Sequence, residues 1–368
     1  MIKVLTIFGT RPEAVKLAPV ILRLKENPGF ESVTCVTAQH RELLDQVNQL
    51  FGIEPDYDLD LMQENQDLSA LTARVFSLLP PGLIQVRPEW ILVQGDTTTV
   101  MSAALAAFYE RIKVGHVEAG LRTFNKWHPF PEEINRKVAG VVADLHFAPT
   151  AQSRANLLAE GVPDSKIAVT GNTIIDALQM VAKQPFDLST SQLAGIPFDQ
   201  RVVLVTAHRR ENFGAPLASI CRAIKALADD RDLGLHFVYP VHPNPNVINT
   251  VEPMLGDHPR ITLLPPVDYR NLIFLMARAE LVLTDSGGLQ EEAPALKTPV
   301  FVLREVTERP EGVEAGVSRL VGTSEMEIIQ AVREIFSDQE KYDRMASAEN
   351  PYGDGRAAER IIDRLAAG

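Results

Sequence analysis

The stretch Leu281-Val282-Leu283-Thr284-Asp285-Ser286-Gly287-Gly288-Leu289-Gln290-Glu291-Glu292 constrains the fold more than any other part of the chain. A short apolar run ends in a polar, glycine-containing turn, and a helix-forming run ending at Leu296 follows. That order reads as strand, tight turn, helix start. The first backbone N–H groups of a helix lack partners and sit at the positive end of its macrodipole. Two adjacent glycines let an anion come close to them, which is how nucleotide phosphates are commonly held. An ordinary strand-to-helix turn can also use Gly-Gly. Gln290-Glu291-Glu292, just inside the helix, tips the reading, because carboxylates in a first turn repel phosphate unless they point elsewhere and grip sugar or ribose hydroxyls. Phosphate plus hydroxyl predicts a sugar nucleotide.

The same unit recurs along the chain. Ile2–Phe8 is a nearly continuous apolar run, the pattern of a strand buried on both faces of a parallel sheet. Gly9-Thr10-Arg11-Pro12-Glu13 follows, then a helical stripe through Ala14, Leu17, Ala18, Ile21, Leu22 and Leu24. Strands are expected at 32–37, 90–93, 113–117, 145–148 and 167–169, and helices at 41–51, 68–79, 98–111, 152–160 and 173–182. Residues 184–200, rich in Pro, Ser, Gly and Thr, read as a connection. A second series restarts, with strands at 201–206, 235–239, 261–264, 281–284 and 299–303. Helices are expected there at 216–227, 270–277, 324–336 and 341–346. A turn at Asn350–Gly355 precedes a last helix, 356–366. The predicted class is α/β, with two doubly wound domains. Their boundaries fall at 1–184 and 185–355, and the final helix, 356–368, packs back onto the first domain. Open α/β sheets bind ligands at the carboxyl ends of their strands, so the two rims together predict a cleft.

A chain of 368 residues suits two domains of ordinary size, and 45% apolar with 23% charged residues is average for a globular protein. The net charge of -12 argues against nucleic acid, which attracts excess Lys and Arg. An acidic protein that binds phosphate must concentrate its cations locally, which makes single arginines informative. Cys35 and Cys221 lie in apolar contexts without ligand-like spacing and read as buried thiols of a reducing compartment. The apolar opening is too short for a signal-peptide core and nothing approaches membrane-spanning length, so a cytoplasmic protein is expected. No G-x-G-x-x-G follows a strand, and there is neither a P-loop nor a zinc-type cluster, so no redox cofactor or metal is expected.

The candidates divide by domain. The first supplies Arg11, Lys16, Asp96, Glu118 and Glu132; the second supplies His208, Arg209, Arg210, Ser286, Gly287, Gly288, Glu292 and Arg309. Asp96 alone could be a helix N-cap, and Glu132 and Glu133 alone could be first-turn carboxylates that favour a helix. Two carboxylates at equivalent strand ends, Asp96 and Glu118, point instead to a working pair. A nucleotide diphosphate held by the second domain would present its sugar to acid/base groups of the first.

The segments Gly9–Glu13, Gly95–Thr98, Gly115–Arg122, Pro131–Glu133, His208–Glu211, Thr284–Pro294 and Glu308–Glu311 resemble the non-hydrolysing bacterial UDP-N-acetylglucosamine 2-epimerases. The resemblance runs from Met1 to the final helix. It implies a GT-B fold with the active site in the interdomain cleft, a homodimer, and cytoplasmic interconversion of UDP-GlcNAc and UDP-ManNAc for cell-surface polysaccharide. It implies that Arg11, Lys16, His208, Ser286, Gly287, Gly288, Glu292 and Arg309 bind the UDP part. Asp96, Glu118 and Glu132 become the acid/base carboxylates beside the sugar, with His208 joining them at the reacting diphosphate. Some relatives also hold a second UDP-GlcNAc as an activator; the matching positions are Gln39, His40, Arg209 and His242, with Glu42 and Asn65 departing from that pattern. The implied chemistry is anti elimination of UDP to a 2-acetamidoglucal followed by re-addition. A GT-B glycosyltransferase and a hydrolysing epimerase are the alternatives.

Overall fold

The apolar runs become the strands of two all-parallel sheets. The computed structural model describes residues 1–37, 41–61 and 67–368, with residues 41–43 described by backbone alone. Gln39, His40 and Asn65, and the side chain of Glu42, lie outside the described residues. Two compact units form, Met1–Gln179 with Tyr352–Gly368, and Met180–Pro351. The sequence expectation divided the chain at 184/185 and 355/356.

In the first unit the chain runs β1 (Ile2–Phe8), α1 (Arg11–Glu26), β2 (Phe30–Val36), α2 (Arg41–Phe51), β3 (Tyr57–Asp58), α3 (Leu68–Val86), β4 (Trp90–Gln94) and α4 (Thr98–Tyr109). It continues through β5 (Lys113–Val117), α5 (Glu132–Val142), β6 (Leu145–Ala148), α6 (Ala151–Ala159), β7 (Ile167–Val169) and α7 (Thr173–Ala182), which leads into the second unit. The strand order is β3-β2-β1-β4-β5-β6-β7. Order therefore reverses between β1 and β4, whose pairing sets Leu5 against Ile91. In an open parallel sheet that reversal opens a crevice at the carboxyl ends of the two strands.

The second unit runs β8 (Arg201–Thr206), α8 (Ala215–Asp229), β9 (Leu235–Pro240), α9 (Pro245–Leu255), β10 (Ile261–Leu264), α10 (Tyr269–Arg278), β11 (Leu281–Thr284), α11 (Gly287–Ala295) and β12 (Val300–Val302). It ends with α12 (Pro310–Glu314), β13 (Ser318–Leu320), α13 (Glu325–Ser337) and α14 (Gln339–Ser347). Its order, β10-β9-β8-β11-β12-β13, reverses between β8 and β11. Val203, Val205, Phe237, Tyr239, Leu281, Leu283 and Phe301 fill its core almost without exposure.

Differences from expectation have local causes. α3 extends beyond Leu79 through Pro80 and Pro81, because Leu71, Val75, Leu79, Leu83 and Val86 keep one buried stripe. The proline-rich stretch after β9 hides the start of α9. Pro245 stands at its first helical position, where no N–H partner is needed, and Asn244 caps it. The strands β3 and β13 are too short to leave a periodic signal. Among the described residues no helix is long and apolar enough to cross a membrane, and no group of three or more His, Cys, Asp or Glu side chains could hold a metal.

The last helix, α15 (Ala357–Ala366), buries Ala357, Ala358, Ile361, Ile362 and Leu365 and packs against α1 of its own unit. A residue far away in sequence caps it. Asp176, on α7, accepts from the N–H groups of Ala357 at 3.1 Å and Ala358 at 2.9 Å. Burial pushes this carboxyl above its ordinary range, opposed by those two donors. Asp176→Ala leaves both buried N–H groups without a partner and is expected to cost about 2 kcal/mol, with Asp176→Asn about half that. Denaturant midpoints measure both, and equal stability of all three proteins would refute the cap.

Candidate functional site

In the first unit β1, β4 and β5 end side by side, and the residues just after them form the rim. Glu13, in the first turn of α1, is almost fully buried. It accepts from Gly9 N at 3.1 Å, Thr10 N at 2.7 Å and Thr97 Oγ1 at 2.8 Å, and so binds the turn after β1 to the turn after β4. Burial raises its carboxyl above the usual range against those donors. Thr97 also caps α4, accepting from Val100 N at 3.3 Å. Asp96 is therefore not the cap of that helix. Its Oδ2 accepts from Arg136 Nε at 2.9 Å and is ion-paired with Nη2 of the same guanidinium at 2.7 Å, and its carbonyl accepts from Asn135 Nδ2.

Glu118 follows β5 and is almost buried, with Lys16 Nζ at 2.7 and 2.5 Å from its two oxygens and Gln94 Nε2 as a further donor. Its φ of +62° is left-handed, a conformation that costs a non-glycine residue about 1–3 kcal/mol and concentrates at functional positions. The turn next to it is held by His116, whose Nε2 lies 2.7 Å from the Gly95 carbonyl. Burial lowers the pKa of His116, and because a carbonyl can only accept, its Nε2 carries the proton and donates.

Glu132 opens α5, and one of its oxygens is buried with no hydrogen-bond partner among the described residues. Its neighbour Glu133 has turned fully inward, accepting from Thr123 N, Phe124 N and Arg136 Nη1, and anchors the aromatic loop before the helix. Arg11 is half-buried at the start of α1. The first unit thus joins Lys16 to Glu118 directly, and places Asp96 on Arg136, a residue of the helix that carries Glu132.

In the second unit the rim is built around Asp285, which is wholly buried after β11. Its Oδ2 accepts from His208 N at 2.8 Å, Arg209 N at 2.8 Å and Asn212 Nδ2 at 2.9 Å, so it holds the turn after β8. The His208 ring stacks on His242 with centroids 5.1 Å apart. Burial lowers the pKa of His208; Asp285 acts the other way, and His242 and Arg209 add to the lowering.

Helix α11 begins at Gly287, with Ser286 as its N-cap residue. A Cβ built on Gly287 would lie 3.7 Å from Arg209 Nη2 and 3.9 Å from Arg309 Nη2, so two guanidinium groups flank the helix start. Gly288 lies between Ser286 and Glu292, whose Oγ and Oε1 would be 3.9 and 3.3 Å from a Cβ there. Arg210 is exposed. Gln290 and Glu291 are engaged by the protein itself. Gln290 accepts from Thr307 Oγ1 and Glu291 pairs with Arg309 Nε, so both brace the loop that carries Arg309. Free N–H groups, a helix dipole and two guanidinium groups around a glycine make this rim able to take a diphosphate.

The residues that sequence reasoning missed are connectors, the buried Glu13, Gln94, His116 and Asp285 and the half-buried Arg136. Each lies inside or next to a segment already singled out. The sequence signal they share is an ionisable or amide group embedded where a neighbouring turn or carboxylate needs a donor or an acceptor.

The comparisons with known proteins agree with one another. A family profile described as UDP-N-acetylglucosamine 2-epimerase matches residues 22–366. The chain is 51% identical over 369 residues to the UDP-N-acetylglucosamine 2-epimerase of Escherichia coli O157:H7, with 99% of this chain and 98% of that protein covered. The enzyme of that description from Bacillus subtilis is 47% identical over 364 residues, covering 99% and 95%. The crystal structure of UDP-GlcNAc 2-epimerase from Neisseria meningitidis bound to UDP-GlcNAc superposes with a TM-score of 0.89 at 46% identity, covering all of both chains. The two Rossmann-like sheets are those of the GT-B fold. The chain belongs to the UDP-N-acetylglucosamine 2-epimerase family.

Proposed function

We propose that this protein interconverts UDP-GlcNAc and UDP-ManNAc by inverting C2 of the sugar without hydrolysing the nucleotide. The observation that carries the reading is the start of α11, where Gly287 stands between the guanidinium groups of Arg209 and Arg309. It suits a leaving diphosphate. Family membership supplies the sugar, and the carboxylates at the ends of β4 and β5 supply the proton chemistry.

The C2 hydrogen is not next to a carbonyl, so a carboxylate cannot simply remove it. Breaking the C1–O bond to UDP develops positive charge at C1 and makes that hydrogen acidic. UDP leaves with the bonding electrons, a carboxylate takes the proton, and a 2-acetamidoglucal remains. UDP then adds back at C1 while a proton returns to C2 on the opposite face. Atoms balance and no net oxidation occurs. Preorganised donors at the departing diphosphate contribute on the order of several kcal/mol. Arg11, Lys16, His208, Ser286, Gly287, Gly288, Glu292 and Arg309 take the UDP part, and Asp96, Glu118 and Glu132 serve the sugar. By extension of the family resemblance, the protein is a cytoplasmic homodimer that supplies ManNAc-type sugars for cell-surface polysaccharide.

Incubation with UDP-GlcNAc alone in D2O tests the reading. UDP-ManNAc is expected, with deuterium at C2 of both epimers. Full retention of the C2 hydrogen would reject elimination; free ManNAc would indicate the hydrolysing reaction, and sugar transfer to an acceptor a glycosyltransferase.

Asp96→Asn, Glu118→Gln and Glu132→Gln are each expected to lower kcat about 10²–10⁴-fold while UDP affinity stays near wild type. Steady-state kinetics beside calorimetry separate the two effects, and a carboxylate whose loss leaves kcat intact drops out of the acid/base set.

Arg309→Ala is expected to weaken UDP binding by about 1.5–3 kcal/mol, the worth of a charge-assisted hydrogen bond. Unchanged UDP affinity by calorimetry would remove Arg309 from the nucleotide site.

A further inference from the structure

The two oxygens of Asp285 are used unequally. Oδ2 takes three donors, His208 N, Arg209 N and Asn212 Nδ2. Oδ1 is buried with no hydrogen-bond partner among the described residues. A buried carboxylate oxygen without a donor is unfavourable, and natural structures keep such groups for a reason. The group nearest to supplying the donor is His208, whose Nδ1 lies 3.7 Å away. That is ion-pair range, a few tenths of an ångström beyond a hydrogen bond. The remaining charged or titratable neighbours of the imidazole are His242, stacked on one face, and Arg209, next in the chain. Both disfavour a second proton on His208. Asp285 alone among these three favours it.

We propose that Asp285 is a positioning residue of the nucleotide site, fixing the His208-Arg209 turn through one oxygen and reserving the other for His208 Nδ1–H, so that the doubly protonated imidazole presents its Nε2–H to the diphosphate. The inference rests on the diphosphate reading above. One carboxylate then does two things. It sets the backbone that carries Arg209 to Gly287, and it selects which ring nitrogen of His208 faces the anion. When UDP departs, its negative charge grows, and a doubly protonated imidazole held from behind by a carboxylate stabilises that charge better than a neutral one. The arrangement has the logic of an aspartate that orients a histidine without itself exchanging protons. Here the histidine serves a phosphate rather than a nucleophile.

Two variants test it through signs that a purely structural role does not produce. Asp285→Asn keeps an acceptor for the turn but loses the charge and the reserved oxygen. The His208 titration, followed by NMR of the imidazole in the unliganded protein, is expected to move to lower pH. UDP affinity at neutral pH is expected to fall roughly tenfold, with the remaining affinity lost at lower pH than in the wild type. Asn212→Ala keeps the charge and removes one of the donors that neutralise it. Its His208 titration is expected to stay or move to higher pH, opposite to Asp285→Asn. An unchanged titration in folded Asp285→Asn, or a downward move in Asn212→Ala, overturns the proposal. The second outcome can be read even if Asp285→Asn does not fold. Failure of the epimerase reading shows separately, as a wild type that makes no UDP-ManNAc.

Discussion

A parallel sheet satisfies its backbone inside the strands and leaves it unsatisfied where the strands end, and the site depends on how that deficit is met. At the reversal of strand order two turns meet, and neither helix nor ladder supplies acceptors for their N–H groups. Each unit solves this with one buried carboxylate. In the first, Glu13 reaches from α1 to Gly9, Thr10 and Thr97, joining the ends of β1 and β4. In the second, Asp285 reaches back from the end of β11 to His208 and Arg209 beside β8. The direction differs, but the junction is equivalent. Burying a carboxylate is unfavourable unless several donors converge on it. A turn with free N–H groups offers that convergence, so the deficit of the backbone and the cost of burying charge offset each other.

The same reasoning explains how the candidate groups are held. Glu118 meets Lys16 and Gln94, Asp96 meets Arg136, and Arg309 meets Glu291. None of these pairs is an isolated surface bridge of the kind that contributes little. Each is largely shielded from solvent; Glu118 and Asp96 tie strand ends to helices, and Arg309 ties a loop to α11. The cations are therefore fixed in place by carboxylates in a protein whose net charge is -12. In this acidic chain, carboxylates orient a few arginines and lysines at the candidate site.

Much of this was legible before any coordinates. Continuous apolar runs marked the strands, and several, such as 113–117, 145–148 and 201–206, match to the residue. The turns after β1, β4, β5, β8 and β11 stood out because they gather charge and glycine where a parallel sheet ends. What stayed hidden is direction. A carboxylate at a first turn can face solvent, a ligand or the interior with the same local sequence. Glu132 and Glu133 are adjacent, yet only Glu133 is turned fully inward onto the backbone. Glu291 and Glu292 are adjacent too, and Glu291 braces Arg309. Asp96 looked equally suited to capping, until Thr97 took that place and Arg136, forty residues on, took the carboxylate. Partners that far apart leave no periodic trace. The extension of α3 through two prolines was hidden for another reason, since its buried stripe outweighs the local cost of Pro80 and Pro81.

The left-handed backbone at Glu118 connects these points. A residue with φ of +62° is retained only where its surroundings over-determine it. Here Gly95 N donates to the carbonyl of Val117, Ala119 N donates to that of Phe147, and the side chain is clasped by Lys16 and Gln94. The backbone is tied on both sides of the residue and the carboxylate beyond it. An ordinary strand exit would carry the side chain on in the alternating direction of β5, toward one face of the sheet or the other. The left-handed turn instead sets the carboxylate at the rim, against the lysine of α1. Strain of about 1–3 kcal/mol is thus the cost of orienting one carboxylate where the chemistry of a strand end requires it.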